Sequence, residues 1–148
     1  MQGNLIFDNT LGGKAKSFRW KIDNECNLHI HRKFQTKTGT MEHSRIVSSV
    51  DLTAVINYVS ADKWHDLANN IANINNGTEK EGVGRFLHET LGWPPSDCQL
   101  ASHLGAMFFR SGVWDYNGKK RGIKFRGTGI DWCEAVTKYY LRGQHDSA

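Results

Sequence analysis

The sequence has 148 residues, of which 39% are hydrophobic, 23% charged and 11% aromatic, with a net charge of +4. This length and composition predict one soluble domain with a buried core and argue against intrinsic disorder. No apolar run approaches the roughly 18 residues of a membrane span, and residues 1–10 lack the basic and apolar regions of a secretory signal, so we expect a cytoplasmic protein that does not contact membranes.

The three cysteines, Cys26, Cys98 and Cys133, are far apart and form no Cys-x-x-Cys pair. An odd number at such spacing predicts free thiols in a reducing cytoplasm. No cluster of residues has the spacing of a metal site, and no glycine-rich phosphate loop follows a predicted strand. We therefore expect no metal and no cofactor.

The first part of the chain predicts β-structure. Residues 1–16 are expected to form an arm or an edge segment, and residues 17–50 a hairpin or small antiparallel sheet. Apolar and polar side chains alternate from Ser17 to Ile22 and again from Leu28 to Phe34, on both sides of a turn at residues 23–25. This period of two indicates a hairpin with one apolar and one basic face, which places Phe34 on the apolar face. Residues 35–44 are polar and predict a loop, and residues 45–50 a third strand.

Helices are predicted next. A stripe at Leu52, Val55 and Val59 indicates a short helix, and Ser60 is expected to cap a second helix that ends at residues 75–77. Capping boxes at residues 78–81 and 96–99 predict two more helices, ending at Gly92 and at residues 111–112. Leu100, Ala101, Leu104, Met107 and Phe108 are expected to face the core.

Residues 113–126 predict a second hairpin around a two-residue turn, Asn117-Gly118. Residues 128–131 are expected to cap a last helix with Trp132, Ala135, Val136, Tyr139 and Tyr140 inward, and residues 143–148 to form a disordered tail. The predicted fold is a single α+β domain of residues 1–148. Its N-terminal hairpin or sheet packs with four to five helices, and the second, wing-like hairpin precedes the last helix.

The charge is unevenly distributed along the chain: residues 1–50 carry +4, residues 51–100 carry −4, and residues 101–148 carry +4. The densest basic run is NGKKRGIKFR, residues 117–126, which contains no acid. Such a run is either a solvated hairpin or a surface that contacts phosphates.

The order helix, turn, helix, hydrophobic strand and basic hairpin over residues 78–126 resembles the winged helix-turn-helix superfamily. The stretch LASHLGAMFFRSGVWDYNGKKRGIKFR, residues 100–126, carries this resemblance. The resemblance implies a small DNA-binding protein of the transcription-regulator type, which binds double-stranded DNA as a homodimer without catalysis. The candidate contacts are residues of the second helix and the wing: Ser96, Gln99, Ser102, His103, Arg110, Lys119, Lys120, Arg121 and Lys124.

Two alternatives stay open. The acidic middle could make the chain a protein–protein interaction or accessory module that forms a homo-oligomer. The pair His29 and His31, on one side of a strand beside Arg19, Lys21 and Lys33, could instead act as acid and base in a small metal-independent nuclease. The sequence does not indicate which small molecule, if any, the protein binds.

Overall fold

The structure, a computed structural model, describes residues 3–146. These residues form an α+β fold with a four-stranded antiparallel sheet, a three-stranded sheet and five α-helices. In chain order the elements are β1 (Ile6–Asn9), β2 (Ser17–Ile22), β3 (Leu28–Thr36), β4 (Gly39–Val47), α1 (Ser49–Tyr58), β5 (His65–Asp66), α2 (Ile71–Asn76), α3 (Val83–Glu89), a 3-10 helix (Pro95–Gln99), α4 (Leu100–Arg110), β6 (Trp114–Tyr116), β7 (Lys124–Gly127) and α5 (Trp132–Asp146).

The larger sheet has the strand order β1-β2-β3-β4. The predicted hairpin of β2 and β3 is confirmed, with Trp20 opposite Ile30 and Ile22 opposite Leu28. These four side chains are at most 7% exposed, as expected for the apolar face of a half-buried sheet. The carboxylate of Asp23 holds the turn between the two strands by accepting hydrogen bonds from backbone N–H groups.

Residues 35–44, predicted as a loop, instead form the far end of β3 and the start of β4. The two strands pair from Leu28 opposite Val47 to Thr36 opposite Gly39. Most side chains beyond Arg32 are exposed, because this β3–β4 ribbon extends past the core. Without a buried face, a strand shows no apolar alternation, so the periodicity could not reveal it.

The smaller sheet has the order β5-β7-β6, and its β6–β7 hairpin contains the predicted strands. The predicted two-residue turn is wrong, because Tyr116 pairs with Phe125 and a longer connection separates them. The Asn117 side chain spans this connection, accepting from the N–H of Lys124 (3.2 Å) and donating to the carbonyl of Gly122 (2.9 Å). We call residues 117–123 the basic loop.

The helix predicted to begin after Ser60 begins only at residue 71. The intervening residues pair with β7 through β5, and Ala68 has a left-handed φ of 47° that no α-helix accommodates. The hydroxyl of Ser60 lies 3.1 Å from Nε2 of His65 rather than capping a helix. Tertiary pairing with β7 therefore overrides the local helical pattern, although Gly77 ends α2 as predicted.

Neither predicted capping box caps its helix. Thr78 and Glu79 turn back towards α2, where the carboxylate of Glu79 accepts from the N–H of Asn70 at 2.8 Å. Helix α3 begins after Gly82, which has no side-chain cap; a Cβ there would lie 2.3 Å from the carbonyl oxygen of Asp66. Residues 96–99 belong to the 3-10 helix, also without a side-chain cap.

Helix α4 lies at the centre of the core. Its five predicted inward residues are at most 1% exposed, and His103 and Ala106 are buried as well. The ring of Phe125 packs directly on Gly105, where a Cβ would lie 2.3 Å from the ring. This close contact between helix and strand holds the β6–β7 hairpin against α4.

Helix α5 covers the larger sheet. Val136 and Tyr140 are buried, and the ring of Tyr139 stacks on Trp20 with centroids 5.8 Å apart, so the predicted inward face is confirmed. The helix continues to Asp146; residues 143–146 of the predicted disordered tail are thus helical, and residues 147–148 lie outside the described part. No helix within residues 3–146 is both long and apolar enough to cross a bilayer.

The prediction of three free thiols is wrong for two of them. A disulfide joins Cys26, in the β2–β3 turn, to Cys133 at the start of α5, with Cα atoms 6.0 Å apart. The two cysteines are 107 residues apart in sequence, so their spacing does not indicate that they lie close together in the fold. Cys98 is free and buried, and its burial raises the pKa of its thiol to about 11.

Asp8 of β1 is a carboxylate that is only 8% exposed. It accepts hydrogen bonds from the indole of Trp20 (3.3 Å) and the hydroxyl of Tyr139 (2.7 Å), and forms an ion pair with Arg110. Burial, together with the hydrogen bond to Asp8, raises the pKa of Tyr139. One carboxylate thus connects β1 to β2, α4 and α5.

We expect Asp8→Ala to lower the free energy of unfolding by about 3 kcal/mol, because it leaves three buried or half-buried donors without their acceptor. The matched control is Asp115→Ala, whose side chain is 54% exposed and pairs with Arg126 at 3.7 Å. This change should stay within about 0.5 kcal/mol of the parent protein. Urea unfolding measures both, and equal losses would contradict the role of Asp8.

Candidate functional site

An open cleft of about 710 Å³ lies between the larger sheet and the basic loop. Its lining comes from the β1–β2 connection, from β3, from Asn69, from the start of α4 with the residue before it, and from the basic loop. The volume is in the usual range for ligand sites in proteins. The cleft therefore brings together segments that are distant in sequence.

The β1–β2 connection and the basic loop form one continuous wall of the cleft. The N–H of Gly13 donates to the carbonyl of Lys120 at 3.3 Å. Gly12 has a φ of 97°, and a Cβ there would lie 2.9 Å from the side chain of Ile123. Glycine at this position therefore permits both the backbone turn and the close approach of the two loops.

Cationic side chains dominate the cleft, and no acidic side chain lines it. None of its six cations forms an ion pair within the described part of the chain, whereas eight of the other thirteen lysines and arginines do. Like charges held close together repel each other, so such a cluster favours a bound anion. The six are Lys14, Lys16, Arg32, Lys33, Lys120 and Arg121.

Arg32 is the cation that the fold orients most firmly. Its guanidinium donates to the side-chain oxygen of Gln99 (3.1 Å) and to the carbonyl of Ser96 (3.3 Å), and its Nε is buried without a partner. Burial lowers the pKa of Arg32, while the charge of Asp97 acts in the opposite direction. Neutral acceptors thus position this charge without neutralising it.

His103 lies at the bottom of the cleft and is only 6% exposed. Its ring packs edge-on against Phe18 (centroids 4.7 Å apart), and its Nδ1 is buried without a hydrogen-bond partner. Burial, then the charge of Arg32, lowers the pKa of His103 to about 4, although the carbonyl of Gln99 opposes this shift. The ring is therefore neutral at pH 7.

Two further neutral polar side chains lie beside this histidine. The amide of Asn69 donates to the hydroxyl of Ser102 at 2.7 Å, and both line the cleft. The cleft thus combines cations with neutral groups that can donate and accept hydrogen bonds.

Phe34 was expected on the buried face of β3, and this is wrong. Its side chain is 42% exposed and lines the cleft next to Arg32 and Lys33. Phe34 lies where the β3–β4 ribbon extends beyond the core. The face of β3 that is buried at Ile30 is therefore exposed to solvent at Phe34. An exposed aromatic ring between cations is the arrangement that binds unstacked bases.

Five of the nine candidate residues from the sequence line this cleft: Gln99, Ser102, His103, Lys120 and Arg121. Ser96 contacts the cleft indirectly, through its carbonyl on Arg32. The other three lie elsewhere. Arg110 pairs with Asp8, Lys124 lies 3.8 Å from Asp66, and the carbonyl of Lys119 accepts a hydrogen bond from Tyr116.

Sequence reasoning missed four of the cations and the aromatic ring of this cleft: Lys14, Lys16, Arg32, Lys33 and Phe34. For Lys33 the sequence predicts only a place on the basic strand face beside His31. The pair Lys14 and Lys16 follows Gly12-Gly13, which is a weak signal for a basic loop at a turn. Nothing in the local pattern indicated that this loop meets residues 120–123.

His29 and His31, the proposed nuclease pair, lie on the opposite, outer face of the larger sheet and do not line the cleft. Nε2 of His29 is 2.9 Å from the carboxylate of Asp23, and Nδ1 of His31 is 3.6 Å from that of Glu42. Although burial opposes it, hydrogen bonding, first from His29, lowers the pKa of Asp23 to about 2. Each histidine thus has its own carboxylate partner.

Comparison with known proteins finds no matching family model, no matching curated protein and no matching solved structure. Within residues 3–146, no group of three or more His, Cys, Asp or Glu side chains could hold a metal ion.

We expect His103 to make stability depend on pH. The unfolded chain takes up a proton near its ordinary pKa of 6.5, but the folded protein only near 4, so the unfolded state binds more protons between these values. The contribution of His103 to the free energy of unfolding should therefore fall by about 3 kcal/mol as the pH falls from 7 to 4. Urea unfolding of the parent protein and of His103→Leu across this range measures it; parallel pH profiles would contradict the assignment.

Proposed function

We propose that the protein binds nucleic acid through the cleft, by contacts between its cations and the phosphate backbone, without a chemical step. The observation that carries the proposal is the clustering, within residues 3–146, of six cations without ion-pair partners around one cleft that no acidic side chain of this part lines. A nucleic acid is the partner that such a surface suits, since each neutralised phosphate releases condensed counterions and thereby favours binding.

The spread of the cations favours a chain of phosphates over one small anion. They lie on three separate segments: Lys14 and Lys16 in the β1–β2 connection, Arg32 and Lys33 in β3, and Lys120 and Arg121 in the basic loop. A single phosphate is held by a few convergent donors, whereas a backbone offers a phosphate at every nucleotide. Cations on three segments around one cleft therefore suit several successive phosphates.

This proposal keeps one part of the sequence-based hypothesis, phosphate contact by Lys120 and Arg121. The other part, base recognition by an exposed face of α4, gains no support, because eight of its residues are buried. A recognition helix must enter the major groove, which needs an exposed face along its length. The winged-helix resemblance, the double-stranded target and the homodimer stay predictions.

The test is a double substitution in the basic loop, Lys120→Ala with Arg121→Ala. We expect at least about tenfold weaker binding to short DNA oligonucleotides at low salt, because two phosphate contacts are lost. The slope of log affinity against log salt should become shallower by about 1.5. Fluorescence anisotropy across a salt series measures both quantities.

The matched control is Lys21→Ala with Lys63→Ala, which removes the same charge from two cations outside the cleft lining that form no ion pair in the described part. This variant should bind within about twofold of the parent protein, because salt screens charges that do not contact the bound chain. Equal losses of affinity in both double variants would show that binding depends on net charge alone and not on the cleft. A parent protein that binds no oligonucleotide would refute the proposal.

A further inference from the structure

We infer that the cleft accepts unpaired nucleotides, so that the target of this protein is a single strand rather than a duplex. This inference rests on the proposed function and specifies its substrate class. The observations that carry it concern the groups that lie between the cations, namely Phe34 and the neutral polar residues beside His103. Contacts to phosphates alone give these groups no role.

Phe34 offers an aromatic face inside the basic cleft. Its side chain is 42% exposed and is flanked in sequence by Lys33 and, one residue further, by Arg32, both of which line the cleft. In a duplex each base face is covered by its neighbours, so a ring in the cleft wall has nothing to stack on. Bases of a single strand are free to stack on aromatic side chains, whatever their sequence.

The bottom of the cleft carries neutral polar groups. His103 is 6% exposed, lines the cleft and is neutral at pH 7. Ser102 and Asn69 lie in the same lining and supply hydrogen-bond donors and acceptors. The edges of an unpaired base present matching groups, which in a duplex are engaged in base pairing.

The shape of the site argues in the same direction. Reading the base edges of a duplex requires an element that enters a groove, such as a helix or a two-stranded ribbon. The β3–β4 ribbon contributes only Arg32, Lys33 and Phe34, at its base, to the cleft, and α4 contributes Ser102 and His103 from a helix of which eight residues are buried. A concave basic cleft with an aromatic ring and polar groups in its lining instead suits a single strand, whose bases are free to stack.

The experiment compares a labelled single-stranded DNA oligonucleotide, its RNA counterpart and the corresponding DNA duplex by fluorescence anisotropy. We expect the parent protein to bind the single strand at least about tenfold more tightly than the duplex. Phe34→Ala should weaken single-strand binding by about fivefold to one-hundredfold, the range measured for loss of one stacked base, and leave duplex binding unchanged. The DNA and RNA arms show which single strand is preferred.

Two further variants separate stacking from other effects. Phe34→Trp retains an aromatic face and should preserve single-strand binding. Met41→Ala removes a large exposed side chain from the residue that pairs with Phe34 across the ribbon but does not line the cleft, and it should bind as the parent protein does. Phe34 lies outside the core, so unfolding of its variants, checked by circular dichroism, is not expected.

Equal affinity for strand and duplex, or full single-strand binding by Phe34→Ala, overturns the inference. If Lys120→Ala with Arg121→Ala still loses binding in either case, the proposed function stands while this inference fails. If the parent protein binds none of the three oligonucleotides, both fail.

Discussion

The carboxylate of Asp8 is the constraint on which the arrangement of the fold depends. It lies on the edge strand β1 and binds Trp20, Arg110 and Tyr139, so the sheet and the two longest helices meet at one buried charge. A buried carboxylate is tolerated only when donors surround it, which fixes the relative position of the elements that supply them. Arg110 ends α4, and the opposite end of this helix carries Ser102 and His103 into the cleft. The position of the candidate site thus follows from a contact at the far end of the same helix.

The cations of this molecule divide into those with a carboxylate partner and those without one. Arg110, Lys124 and Arg126 each pair with a carboxylate, and these pairs connect neighbouring elements. Within residues 3–146 the six cations of the cleft have no such partner, as is also true of Lys21 and Lys63 outside it, and Arg32 is held by neutral acceptors. Because repulsion among them opposes folding, the cluster is a stability cost that a bound polyanion would relieve. The net charge of +4 conceals this division, since paired and unpaired cations count equally in it.

The sequence predicted the elements that have one apolar face, and failed where pairing with distant residues decides the structure. The β2–β3 hairpin and the inward faces of α4 and α5 follow from periodicity because each covers the core. The segment 61–70 has a helical pattern, but its residues His65 and Asp66 pair with β7, and the ribbon has no buried face to detect. The site divides in the same way. Gln99, Ser102, His103, Lys120 and Arg121 were candidates from local pattern and lie at one cleft, whereas Lys14, Lys16 and Arg32 reach it through contacts between segments that sequence spacing does not report.

The disulfide between Cys26 and Cys133 closes most of the chain into a covalent ring. Arg32, Phe34, His103 and the basic loop all belong to this ring, whereas the β1–β2 connection and Ser17 of β2 contribute to the cleft from outside it. The exposed tip of the β3–β4 ribbon, near Lys37, is the kind of site where proteases cut folded proteins. A cut there would open the ring, but the two resulting fragments would stay joined through the bond between Cys26 and Cys133. Both fragments contribute residues to the cleft, so the cleft would keep all its parts as long as this disulfide is intact.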